Sequence, residues 1–110
     1  MPKTARMERI EAMLAEEPDD AFLRYGLAME HASAGDDAAC VEVLRDLITR
    51  STAGPYIPAF LQAGQALVRL DRIAEACDML KAGIETATGV GSADALHARG
   101  EMQGLLSSIE

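Results

Sequence analysis

Cys40, Cys77, His31 and His97 are the thiols and imidazoles of the chain, and their spacing assembles no reaction centre. The cysteines stand alone, without a C-x-x-C pair or a Cys/His spacing that suits zinc. Both fall within helical stretches among Ala and Leu, where a free thiol behaves as a small hydrophobe. His31 follows Glu30 and reads as half of a solvated rim pair. His97 lies off the apolar stripe of the last helix, with no Ser, Cys or carboxylate constellation beside it. The "GVGS" of residues 89–92 precedes a helix, but no strand leads into it and it has no lysine. It is an ordinary turn rather than a phosphate loop. The densest charge run, "EEPDD" at 16–20, reads as one helix exit and the next helix entry. The expectation is a protein that is not an enzyme and has no catalytic, cofactor or metal site.

The elements that carry these residues are helices. The chain has 110 residues, 49% of them hydrophobic, but its aromatics are few: Phe22, Tyr25, Tyr56 and Phe60. A core must be built from Leu, Ile, Met, Val and many Ala, which suits helices packed closely on small side chains. No stretch alternates with a period of two for long enough to form a strand. "TARMERIEAMLAE" places Met7, Ile10, Met13 and Leu14 on one face. Asp19 is a plausible N-cap for the next helix, Asp36 for a third and Asp71 for a fifth, while "GVGS" ends the fifth and Ser92 caps a sixth. The fourth helix runs from Pro55, with Pro55 and Pro58 tolerable in or before its first turn. The fold class expected is all-α, in one domain spanning residues 1–110.

Gly26 and Gly64 stand in the middle of strong helical patterns, "AFLRYGLAME" and "AFLQAGQALV", at a cost of about 1 kcal/mol each relative to Ala. Something must approach the backbone closely there. Each glycine helix and its follower can be laid on the other pair if the first copy carries two extra residues near its turn. Phe22 then matches Phe60, Gly26 matches Gly64, Met29 matches Leu67, Cys40 matches Ala76 and Leu44 matches Leu80. A helix pair repeated at this period signals a solenoid.

The pattern resembles the tetratricopeptide repeat, W-x2-L-G-x2-Y…A-x3-F…P. The second copy carries it at Phe60, Ala63, Gly64, Leu67, Ala76 and Leu80; Phe replaces Trp, Asp71 sits at the usual turn Gly and Thr88 at the final Pro. The resemblance implies a right-handed helical-repeat solenoid of about six helices. Residues 4–17 would be an N-terminal half repeat, 19–50 and 55–88 two full repeats, and 92–109 a C-terminal capping helix like those of small stand-alone bacterial tetratricopeptide proteins. The glycine position is then where the second helix of a pair crosses the first.

The same resemblance implies a non-catalytic protein-protein interaction module. Its concave face would be lined by Asp20, Leu23, Leu27, Glu30 and His31 in the first pair. In the second pair it would be lined by Pro58, Leu61, Gln65, Val68 and Arg69. The Lys, Asn and Arg with which some relatives grip a peptide carboxylate are absent from these positions. The leucines are either a groove for an apolar partner segment or packing between neighbouring helices. Two repeats are fewer than the three that solenoids usually need, so a homodimer through an exposed helix face is the alternative. A net charge of −8 without a basic stripe disfavours nucleic acid and membrane surfaces. With no long apolar run at the N-terminus, a cytoplasmic protein is expected.

Overall fold

A computed structural model describes residues 3–110. Within them the chain forms six α-helices and no strand: α1 (Ala5–Glu16), α2 (Ala21–Ser33), α3 (Asp37–Arg50), α4 (Ile57–Arg69), α5 (Ile73–Val90) and α6 (Ala93–Ile109). Among these, no helix is long and apolar enough to cross a membrane.

Side chains that accept orphan N–H groups set four of the starts. Thr4, Asp20, Asp36 and Ser92 accept from the amides of Met7, Leu23, Ala39 and Ala95 at 2.9–3.1 Å. The cap of α2 is therefore Asp20, not Asp19, whose exposed carboxylate pairs instead with Arg50 at 3.5 Å. Helix α4 begins at Ile57 rather than Pro55, with a proline in its first turn and no side-chain cap. Helix α5 runs through Gly89 and stops only where Gly91 turns left-handed at φ 71°. Of the two "GVGS" glycines, only the second breaks the helix.

Asp71 does not cap α5. It adopts φ 59°, the conformation that Gly35 adopts at φ 80° one turn-motif earlier. The hydrogen bonds around the two turns repeat at a fixed 36-residue offset. Asp36 N–H donates to the His31 carbonyl as Arg72 N–H does to Leu67, both at 2.9 Å. Gly35 donates to Ala32 as Asp71 does to Val68, at 3.0 and 2.9 Å. Each is a Schellman ending, with the left-handed residue just past the helix.

The two helix pairs therefore correspond without any insertion at the turn, which corrects the alignment expected from sequence. In the observed register Gly64 corresponds to Ala28, not Gly26. A Cβ on Gly64 would lie 2.6 Å from Leu80 Cδ2, whereas one on Gly26 would meet only Ile10 Cδ1 at 3.9 Å. Gly64 is a close approach of α5 to α4, as expected; Gly26 is not one. Phe60 is 93% shielded and Phe22 75% exposed, so they are not counterparts either. Arg24 takes the place of Phe60, with its guanidinium on Asp46 at 2.8 Å and on the Pro18 carbonyl.

Successive helices pack against one another along the chain, and α4 also packs on α6. The resulting slab measures 37 × 30 × 18 Å. Ala28, Leu44, Leu47, Ala63 and Leu67 fill the middle of it, between α2, α3 and α4. Phe60, Leu80, Ala87 and Met102 join α4, α5 and α6. Met7, Leu14 and Leu27 join α1 to α2.

Candidate interaction surface

Two residues along a helix turn its surface by about 200°. The two-residue change of register therefore moves the first pair's expected face to the far side of α2. Leu27 is buried against Met7 and Leu14, and half-buried Leu23 packs on the same cluster. Asp20 is occupied as the cap of α2, and Glu30 accepts from Arg6 at 3.5 Å. His31 is half-buried near the end of α2. Leu23, Leu27 and Glu30 hold α1 on α2, and the five do not form a common open face. The counterparts of Pro58, Leu61, Gln65, Val68 and Arg69 are instead Phe22, Tyr25, Met29, Ala32 and Ser33.

In α4, Leu61 is buried and belongs to the cluster that includes Met102 of α6. Gln65 and Val68 are half-buried, Pro58 and Arg69 exposed, and Arg69 pairs with Asp37 at 2.9 Å. Leu27 and Leu61 are thus packed core, which settles the groove-or-packing alternative for both. What remains accessible in the corrected register is Phe22, Tyr25, Met29, Pro58, Gln65 and Arg69, more polar and more aromatic than a leucine strip. Tyr25 stacks on Tyr56 with ring centroids 5.1 Å apart. Burial and the neighbouring Tyr56 raise the Tyr25 phenol above its ordinary value.

Glycine 83 was missed in the sequence. A Cβ there would lie 2.5 Å from Met102 Sδ and 2.6 Å from Phe60 Cβ, so α4, α5 and α6 converge on it. Its signal was the lone glycine of "LKAGIETA". Burial pushes the Cys40 thiol up to about 11, outweighing the nearby Arg69, and Cys77 is half-buried on α5 without a disulfide. His97 faces Glu101 at 3.3 Å on α6, away from His31 on α2.

No family model and no curated protein matches the chain. Solved structures do. The solution structure of a tetratricopeptide repeat domain protein from Salinibacter ruber is 28% identical, with a TM-score of 0.74 over 84% of this chain and 89% of that one. A crystal structure of a tetratricopeptide repeat domain protein from the same organism is 26% identical, with a TM-score of 0.69 over 83% of this chain and 99% of that one. The Schellman turns at a fixed offset, the glycine crossing at Leu80 and these two likenesses agree: the chain has the all-α fold of the tetratricopeptide repeat domains.

Proposed function

We propose that this protein is a non-catalytic interaction module that presents the first-helix face of α2 and α4 to a peptide or protein partner. The reading is carried by one observation: Met29 and Gln65, counterparts in the 36-residue register, both stay half-buried, with Tyr25 half-buried and Arg69 exposed on the same two helices. The likeness to tetratricopeptide repeat domains supports it, as that fold is an interaction scaffold rather than a catalytic one. The leucines expected to anchor a partner are core, so recognition here relies on aromatic stacking and polar contacts. The net charge of −8 favours partners with basic flanks, chiefly through their rate of encounter.

The test is selection from a displayed peptide library, repeated with Gln65→Glu combined with Met29→Arg. A shared peptide motif bound by the parent and lost by the variant, with melting unchanged, supports the surface. Equal binding by both places recognition elsewhere.

A further inference from the structure

The repeat register leaves two helix faces without their partners inside residues 3–110. Helix α1 takes the part of a second helix, ending four residues before α2. Its Arg6, Met7, Ile10 and Met13 stand 34 positions before Cys40, Val41, Leu44 and Leu47, the buried face of α3. Met7 is buried against α2, as Val41 is buried in the middle cluster. Arg6, Ile10 and Met13, whose α3 counterparts share a buried cluster with Ala28 of α2, instead line an open groove of about 350 Å³ with Arg9, Phe22, Leu23 and Gly26. Met13 is 48% exposed and Phe22 75%, large values for such side chains.

At the other end, α6 takes the part of a first helix. Leu96, Gly100 and Gln103 stand 36 positions after Phe60, Gly64 and Leu67, the residues that α5 covers. Nothing covers them here: Leu96 is 39% exposed, and a Cβ on Gly100 would meet nothing within 4 Å. The face is continued by Ala93, Gly104 and Ser107, so it has no charged residue in a chain that is 25% charged.

We infer that α6 of one copy docks in the α1–α2 groove of a second copy, head to tail, so that Gly100 meets the partner copy's helix as Gly64 meets Leu80. The occupant follows from continuity with the interface inside the chain. The groove lacks a first helix carrying a small residue at its crossing, and α6 is a first helix with that glycine bare. Charge agrees with the polarity of the contact. Lys3 pairs with Glu11 and Arg6 with Glu30 within the copy, so Arg9 is the groove cation offered to the segment from Ala93 onward, which carries Asp94, Glu101 and Glu110 against Arg99. The α6 face itself brings no charge into the contact, and Arg9 stands in the groove lining. The contact is heterologous, so it extends the solenoid from copy to copy instead of closing into a twofold dimer. This goes beyond the partner-binding reading; Phe22 borders both surfaces, but neither Met13 nor Gly100 belongs to the partner-binding one.

The test is light scattering or sedimentation over a dilution series up to about 1 mM, the weak limit of specific association. The parent chain should grow with concentration beyond twice its 11.7 kDa mass. Gly100→Glu spoils the α6 face and Met13→Arg spoils the groove. Both sites are open to solvent, and circular dichroism should show both variants folded. Each variant alone should remain a monomer, but an equimolar mixture should form a dimer that grows no further, because each variant keeps the end that the other has lost. A parent that stays monomeric overturns the inference. So does a parent that stops at a dimer, or a mixture that stays monomeric. Unchanged peptide selection by both variants keeps the two proposals separable.

Discussion

Gly64 and Leu80 meet where α5 crosses α4, with no room between them for a methyl group: a Cβ on Gly64 would stand 2.6 Å from Leu80 Cδ2 and 2.9 Å from its Cγ. Leu80 is fully buried, so it has little freedom to retreat. Gly64→Leu should lower stability by about 2–3 kcal/mol through overpacking. Gly26 supplies the contrast within the same fold. Its Cβ would make an ordinary contact with Ile10, so Gly26→Ala should raise stability by about 0.5–1 kcal/mol through helix propensity alone. Denaturant titration of both variants checks the pair. Equal effects at the two sites would mean that neither glycine is a crossing point.

A tighter constraint sits at Gly83. The atom nearest to its absent Cβ on the α4 side is Phe60 Cβ at 2.6 Å, which is tied to the backbone and cannot swing away. Met102 Sδ on the other side can shift, since Met is pliable. Gly83→Ala should therefore cost more than Gly64→Ala, by about 1 kcal/mol, because it must spread α4 from α5. Thermal melting of the two alanine variants ranks them.

How much of this was legible in the sequence depends on which contacts are local. Six helices and the caps at Asp36 and Ser92 follow from capping side chains and apolar periodicity, which act within a few residues. The second pair's crossing at Gly64 was legible because Phe60, Gly64 and Leu67 keep the family's spacing. The first pair misled because "AFLRYG" imitates "AFLQAG" by local identity, while the true match runs through the turn. Only the hydrogen bonds at Gly35 and Asp71 fix that register. Arg24 in the place of Phe60 hid it further, since a salt-bridged guanidinium gives no aromatic signal. The candidate surface inherited the same error: two residues of slip carried five positions around α2, and Leu61 was covered by α6, a contact no local pattern reports.

Asp71 holds a left-handed conformation that glycine adopts at no steric cost. It ends α4 as Gly35 ends α2, so the turn itself needs no rearrangement. Asp71→Gly should stabilise the protein by about 1 kcal/mol. The gain should come without a change in the m-value, since neither state changes its exposed surface.

Leu27 and Leu61 test the assignment of both to the core. Replacing either with Asp puts a carboxylate into the apolar cluster of Met7 and Leu14 or that of Met102. Such a charge costs several kcal/mol, comparable to the whole stability of a small domain. Leu27→Asp combined with Leu61→Asp should abolish cooperative thermal unfolding by circular dichroism. A folded double variant would return both leucines to an exposed groove.

Cys40 gives the protein a pH dependence on the alkaline side. Its thiol is held protonated in the folded state, up to about 11, against an ordinary thiol value of 9.0, by burial within the α2–α3–α4 core. The unfolded chain releases that proton first, so between these two values it binds fewer protons than the folded chain. Stability is therefore complete below pH 9 and falls as the pH rises toward 11. The phenols of Tyr25 and Tyr56, both raised by burial, add to the fall in the same direction. Cys40→Ala should flatten the slope just above pH 9, before the tyrosines contribute, in urea titrations at stepped pH. The same burial predicts that a thiol reagent at pH 8 labels Cys77 alone in the native protein and both cysteines after unfolding. Rapid labelling of two thiols in the native state would show that Cys40 is accessible, and the alkaline slope would then need another source.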